Sequence, residues 1–592
     1  MDPLPVVVKH QGKRYDVELD PSSTGEIFKY QLFSLTGVEP DRQKILVKGG
    51  QLKDDTDISK LGIKPGHTFM MMGTPSGDAA SKLERPTEKI RFLEDMTEAE
   101  AAQSEGATPA GLQNLGNTCY MNSTLQTLRY IPELQEELSQ YSQSASSSGG
   151  QSELSQFGLG GLGASMDLTA SLRDLFKQMS ETQEGFPPLV FLNALRTTFP
   201  QFAQRSKDGH GYAQQDAEEA WSQIVSQLRQ KLKIKDSAAS GEDTTGKAKD
   251  LSFIDKFMAG KFQSIMECDD PAAKEGGEEP AKSEDEFFKL NCHINAETNH
   301  LRDGLLSGLK EQIEKRSEVL GRDAMYTKTS RISRLPKYLP VHFMRFDWRR
   351  TTNKKAKIMR KVTFPQELDA VEFCTEDLKE MLIPVRDKIR DIRKEEEDVE
   401  RARKRQRRMR AGEENDIEPS GKNKAAAATK EPLQKKAEQK AAAEASASGD
   451  VEMPDIEYKT EAQIEVERAA SILAAKKELL TLVNPKLAAD EGANQTGLYE
   501  LRGVITHQGA SADSGHYTSF VKKLGPKDPV TGKRKEEDGR WWWFNDDKVS
   551  EVDSDKIETL SGGGQSHSAL ILLYRAVPLV KIEDEAKTES KA

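Results

Sequence analysis

The 592-residue chain is too long for one ordinary domain, and its 36% hydrophobic and 31% charged residues support a large core alongside stretches that bury little. Its 86 Lys and Arg against 97 Asp and Glu leave a formal charge of −11, which argues against general nucleic-acid binding. Cys119, Cys268, Cys292 and Cys374 form no C-x-x-C pair, the first residues show no leader pattern, and no run approaches the roughly 20 apolar residues of a membrane span. The expectation is therefore a chain with reduced thiols in cytosol or nucleus, without a disulfide framework, a Cys₄ zinc site or a membrane partner.

Residues 1–75 read as one small unit. Val6–Val8, then Tyr15, Val17 and Leu19 around a Gln11-Gly12 turn, predict a hairpin. Ser23 with Glu26 has a capping-box spacing, Phe28, Leu32 and Leu35 follow at helical intervals, and Gly37 supplies a stop. Strands are expected at Lys44–Lys48 and Thr68–Met72, giving the order ββαβ…β. Residues 76–108, rich in Ala, Ser, Thr, Glu and Pro, read as a flexible linker.

A second unit is expected over 109–577, with a tail at 578–592. Segments 142–152, 236–250 and 270–286 read as surface loops. The insertion at about 385–495 is charged and carries no aromatic residue from Cys374 to Glu457, so it is expected to be disordered or a solvated single helix. Its cluster Arg403-Lys404-Arg405-Gln406-Arg407-Arg408 fits a nuclear-import or acidic-partner patch, or simply the basic half of a charge-segregated helix.

The chemistry centres on Gly111-Leu-Gln-Asn-Leu-Gly-Asn-Thr-Cys119-Tyr-Met-Asn-Ser123. Met121, Leu125 and Leu128 place a helix start at or just after Cys119, where unpaired amides favour a thiolate and are expected to lower the thiol pKa toward neutrality. A thiolate nucleophile needs a proton shuttle. Of nine histidines, His516 lies between a small-residue loop, 511–515, and a β-rich segment, while His507 is its rival. Downstream, Trp541–Phe544 ends at Asn545-Asp546-Asp547, which offers an acceptor to orient an imidazole.

Together with Gln214-Gln215-Asp216-Ala217-Glu218-Glu219, Tyr338–Phe346 and Gly515-His516-Tyr517, these strings closely resemble the ubiquitin-specific protease family. Residues 1–75 resemble ubiquitin, including a Gly-x-Gln-Leu pattern at 49–52. The resemblance implies an α+β chain: a β-grasp ubiquitin-like domain, then a papain-like protease domain of thumb, palm and fingers. By motif matching it implies Cys119 as nucleophile, His516 as base and then acid, Asn545 as the orienting residue with Asp546 as the alternative, and Asn114 as oxyanion donor.

The same resemblance implies that Gln214, Asp216 and Glu219 face the basic tail of ubiquitin. It implies a docking patch of Leu46, Met70 and Met72 for the proteasome regulatory particle, although those side chains equally suit a core. The fingers lack paired C-x-x-C motifs, so no metal or other cofactor is expected. The partners implied are ubiquitin and ubiquitinated proteins, and the activity is cleavage after ubiquitin's C-terminal glycine. The alternative is a non-catalytic ubiquitin-binding adaptor, favoured by Asn545 where many members have Asp.

Overall fold

The computed structural model describes residues 4–47, 50–73, 97–103, 106–142, 167–206, 211–234, 251–349, 354–415, 461–511, 514–525, 534, 537–564 and 566–579. The chain divides into two compact units, Met1–Met96 and Thr97–Ala592.

In the first unit, β1 (Leu4–His10) and β2 (Lys13–Leu19) pair antiparallel across Gln11 and Gly12. Both turn residues have positive φ, 47° and 79°, the hand that matches strand twist. Helix α1 (Gly25–Thr36) ends at Gly37, φ 69°, whose N–H bonds to the carbonyl of Phe33. Its start differs from expectation: Ser23 donates its hydroxyl to the Asp20 carbonyl, and Thr24 occupies the cap position without a side-chain bond. Phe28 and Leu32 are buried, but Leu35, on the same face in the last turn before Gly37, is exposed.

Strands β3 (Lys44–Val47), β4 (Gly50–Gln51) and β5 (Thr68–Met72) complete a sheet of order β2-β1-β5-β3-β4. Strand alternation decides between core and surface for the methionine-rich edge. Ile45, Phe69 and Met71 face inward, which leaves Leu46, Met70 and Met72 outward at 48%, 54% and 54% exposure. The register places Leu46 opposite Met70, so these residues form one apolar surface.

The helical side of the second unit is built from α2 (Cys119–Arg129), α3 (Pro132–Gln140), α4 (Leu168–Glu181), α5 (Leu189–Thr198) and α6 (Ala217–Lys231). Every residue of α2 is buried. Met121, Leu125 and Leu128 join Leu172, Phe191 and Trp221 on the helical side and Ile505, Tyr517 and Leu570 from the sheet. Some of its polar atoms are paired across to neighbouring segments, Gln126 Nε2 donating to the Ala110 carbonyl at 2.8 Å and an Arg129 guanidinium N–H to the Met179 carbonyl at 2.8 Å.

The strands that follow are β6 (Gly260–Cys268), β7 (Ala281–Phe287), β8 (Leu290–Cys292), β9 (Lys310–Arg316), β10 (Asp323–Arg334) and β11 (Tyr338–Phe343). Beyond the insertion come β12 (Leu498–Ser511), β13 (Ser514–Lys522), β14 (Trp541–Asn545), β15 (Lys548–Val552) and β16 (Ser568–Ala576). A four-stranded sheet runs β9-β10-β6-β7, and a ten-stranded sheet has the main path β8-β11-β16-β12-β13-β14-β15.

Three predictions need correction. Residues 270–286 contain the short helix Pro271–Glu275 and strand β7, because β7 pairs with β6 and β-pairing overrides a charged composition. The end of the linker is structured: Thr97 and Glu100 form a capping box on Glu98–Ala102, and Thr182 donates its hydroxyl to Glu98. The insertion, expected to be disordered or helical, is largely helical over its described parts, but as two packed helices rather than one solvated helix.

Helices α7 (Glu376–Asn415) and α8 (Glu461–Leu482) pack together with Val385, Ile389, Ile392 and Leu479 between them, alongside Leu498 and Val577. Ion pairs Lys388–Glu478 and Lys476–Glu396 fix their antiparallel register. The sparse apolar residues suffice because they fall on facing stripes. Residues 416–460 of the insertion, most of the linker and nearly all of the predicted loops at 142–152 and 236–250 lie outside the described residues.

Candidate active site

Cys119 opens α2 behind a loop wound around one side chain. Asn114 Oδ1 accepts from the backbone N–H of Gly116 at 3.0 Å and of Thr118 at 3.2 Å. Gly116 (φ 94°) and Asn117 (φ 56°) adopt the left-handed conformations needed for so tight a path. The thiol that emerges is 2% exposed. Burial pushes its pKa up to about 11 and the Asp546 carboxylate adds to that, while backbone N–H bonds, the largest from Tyr517, pull the other way. The expected lowering is thus corrected: the amides at the helix start are present, but they lose to desolvation.

His516 stands on β13, one residue before Tyr517, whose N–H reaches the thiol. Its Nε2 is 2.6 Å from Asn545 Oδ1, at the end of β14. An amide oxygen only accepts, so Nε2 carries the proton and Nδ1 keeps a free lone pair. Asp546, the next residue, has φ 53° and turns its carboxylate toward the cysteine loop. Asn122 Nδ2 donates to its Oδ1 at 2.8 Å and Asn114 Nδ2 to its Oδ2 at 3.0 Å, while Oδ2 is 3.9 Å from His516 Nε2.

Asn545 and Asp546, alternatives in the sequence, therefore hold different positions. One bonds the imidazole; the other ties the cysteine loop to the histidine-bearing sheet. Asn122 was not singled out from the sequence. Its signal was present, since it lies one helical turn after Cys119 with an amide side chain in an apolar helical run.

His507 does not share this geometry. It is fully buried against Phe346 and Tyr517, and desolvation together with the Lys357 ammonium lowers its pKa to about 3. It is a neutral packing group beside the site.

The Gln214–Glu219 box lies at the head of α6, held to the cysteine loop by Asn117 Nδ2 donating to the Tyr212 carbonyl at 3.0 Å. Asp216 caps α6 by accepting from the Glu218 N–H at 2.9 Å. Gln214 and Glu219 are partly exposed. The structure thus gathers Cys119, His516, Asn545 and Asn114 with Asp546, and brings the box to an adjoining edge. Leu46, Met70 and Met72 belong to the other unit.

A cysteine at a helix start, bonded by the strand that carries an amide-held imidazole, has the arrangement of a papain-like thiol hydrolase. The family model for ubiquitin carboxyl-terminal hydrolases matches residues 110–574, and that of the ubiquitin family matches residues 6–76. The chain is 43% identical to ubiquitin carboxyl-terminal hydrolase 6 of Schizosaccharomyces pombe, covering 97% of this chain and 99% of that one. It is 38% identical to ubiquitin carboxyl-terminal hydrolase 6 of Arabidopsis thaliana over 96% and 98% of the two chains, and 29% identical to ubiquitin carboxyl-terminal hydrolase 14 of Caenorhabditis elegans over 97% and 94%.

The chain belongs to the ubiquitin carboxyl-terminal hydrolase family. It is a thiol-dependent deubiquitinase with an N-terminal ubiquitin-like domain, acting on ubiquitin and ubiquitinated proteins.

Proposed function

We propose that this enzyme cleaves the isopeptide bond after the C-terminal glycine of ubiquitin with Cys119 as nucleophile, on substrates held at the proteasome. The observation that carries the assignment is the 2.6 Å contact from His516 Nε2 to Asn545 Oδ1, which leaves Nδ1 as the base. His516 Nδ1 takes the Cys119 proton as sulfur attacks the glycyl carbonyl. The oxyanion is met by the second N–H of Asn114 Nδ2 and by the helix-start amides. As the C–N bond breaks, the imidazolium returns its proton to the lysine amine. Water, activated by the same nitrogen, then hydrolyses the thioester and restores the thiol.

Asn545 fixes the ring, and the Asp546 carboxylate, 3.9 Å from Nε2, supplies the negative charge that an amide cannot give the imidazolium. Gln214, Asp216 and Glu219 border the path of the basic tail. The exposed surface of Leu46, Met70 and Met72 docks the enzyme on the proteasome regulatory particle, in cytosol and nucleus.

Hydrolysis of a fluorogenic ubiquitin C-terminal amide tests the roles. It is expected to vanish in Cys119→Ala and to fall about 10²-fold in Asn545→Ala, the cost of misplacing a reacting group by an ångström. Full activity in either variant contradicts the assignment.

A further inference from the structure

Lys357 is 4% exposed, and its ammonium donates to the His507 carbonyl at 2.6 Å. Among the described residues no carboxylate pairs with it, and the charged and titratable groups around it, Arg345, His507 and His567, are all basic. Arg345 is itself buried and donates to the carbonyls of Ala569 at 2.7 Å, Arg360 at 2.8 Å and Ser561 at 3.0 Å. Burial and the Arg345 charge bring the Lys357 pKa down to about 8 from its ordinary value of 10.5. A buried ammonium with no counter-ion lowers the stability of the fold that contains it.

What it holds is the strand pair of the candidate site. Lys357 ends a hairpin of strands Phe346–Arg349 and Lys354–Lys357, which meets β12 in one described ladder pair, Ala356 opposite Ser511. The ladder between β12 and β13 runs regularly through His507 opposite Tyr517 and Gln508 opposite His516, then loses register before Ser511, where Gly509 and Gly515 take φ values of 125° and 131°. His516 thus sits on the last regular pair. The His507 ring fills the space at the break: a Cβ on Gly515 would lie 2.7 Å from its Nε2 and one on Gly509 3.4 Å from its Cε1, and the Tyr517 ring is centred 4.7 Å away. The Tyr517 N–H bonds the Cys119 thiol. Both chain neighbours of His516 therefore rest on the residue that Lys357 holds.

We propose that Lys357 is a positioning residue for the hydrolysis: by fixing β12 at His507 it fixes Gly515 and Tyr517, and with them the place of the His516 imidazole against Cys119. The inference rests on the hydrolase reading above, in which His516 is the base. Lys357 acts through His507 rather than on the substrate. A displaced imidazole slows proton transfer without weakening the hold on ubiquitin, so the loss belongs in kcat rather than KM. Stability moves the other way. Ser568 Oγ reaches the same carbonyl at 3.5 Å, so a methionine at 357 leaves His507 a partner while removing the buried charge. The penalty of that charge is full below about pH 8 and fades as pH rises toward 10.5, because the folded amine loses its proton before the unfolded one does.

The test compares full-length wild type with Lys357→Met. On the fluorogenic ubiquitin amide, kcat should fall about tenfold while KM stays within about twofold of wild type. The denaturant midpoint of the variant should exceed that of wild type at pH 7, and the gap should close as pH is raised from about 8 toward 10.5. A midpoint no higher than wild type, or a variant that fails to fold, makes Lys357 a support of the fold alone and overturns the proposal. An unchanged kcat overturns it too, whether or not KM rises. A wild type inert toward the amide refutes the hydrolase reading and the proposal with it, whereas an active wild type matched by the variant refutes the proposal alone.

Discussion

At Cys119, two electrostatic effects compete over the same sulfur. Helix-start amides favour the thiolate. Placing a charge where the residue is 2% exposed, beside the Asp546 carboxylate, opposes it more strongly and lifts the pKa to about 11. Cys119 therefore rests as a thiol, and in the proposed mechanism it ionises only as His516 takes its proton. The sign has a consequence: alkylation of Cys119 in the free enzyme should be slow at neutral pH and rise steadily as pH climbs from about 9 toward about 11. A pH-rate profile of iodoacetamide labelling checks this, and a plateau below pH 7 contradicts it. The raised value also means that the thiol's contribution to stability is complete below its unfolded pKa and declines as pH rises through the folded one.

That Cys119, His516, Asn114 and Asn545 belong to one neighbourhood was legible in the sequence because each lies in a long, chemically coherent string. The direction of the Cys119 shift was not. A helix start is visible in local spacing, but burial is set by β13 and the turn after β14, which are hundreds of residues away. The separate positions of Asn545 and Asp546 were hidden for the same reason, since the φ of 53° at Asp546 turns its carboxylate toward Asn114 and Asn122.

Elements show how far pattern reading reaches. The hairpin at Gln11-Gly12, the stop at Gly37 and the helix beginning at Cys119 all follow from local chemistry, and all are present. The insertion misled because composition was averaged over a long segment. Averaging hides Val385, Ile389 and Ile392, whose spacing makes a stripe that needs a partner, and the partner stripe lies on α8, beyond residues 416–460. If that packing joins the arm to the domain, Leu479→Ala should destabilise the protein by about 2–5 kcal/mol, the usual range for emptying a buried leucine site. Denaturant unfolding measures it, and an unchanged midpoint would show that the arm folds without adding to the domain's stability.

The helices and the sheet of the second unit divide the chemistry between them. Cys119 rides on the fully buried α2, whereas the His516 imidazole and the Asn545 amide bonded to it ride on adjacent strands β13 and β14. Asp546 joins the two halves through Asn114 and Asn122.

For the whole molecule, the proposed function gives the catalytic unit and the ubiquitin-like unit separable tasks. The outward face of β3 and β5 leaves three large apolar side chains half exposed, and such a surface on a small domain is suited to docking. Leu46→Asp should abolish co-purification with proteasomes while leaving hydrolysis of the fluorogenic amide by the isolated enzyme unchanged. Retained co-purification, measured by quantitative immunoblot of affinity-purified proteasomes, would remove that patch from the account.

The central claim is that Cys119 attacks the C-terminal carbonyl of ubiquitin. Its most direct test is to treat the full-length enzyme with ubiquitin carrying a C-terminal electrophile, alone and with purified proteasomes, and to map the adduct by peptide mass spectrometry. The account predicts one ubiquitin per chain, attached at Cys119 and lost in Cys119→Ala. An adduct on Cys268, Cys292 or Cys374, or none in either condition, would contradict it.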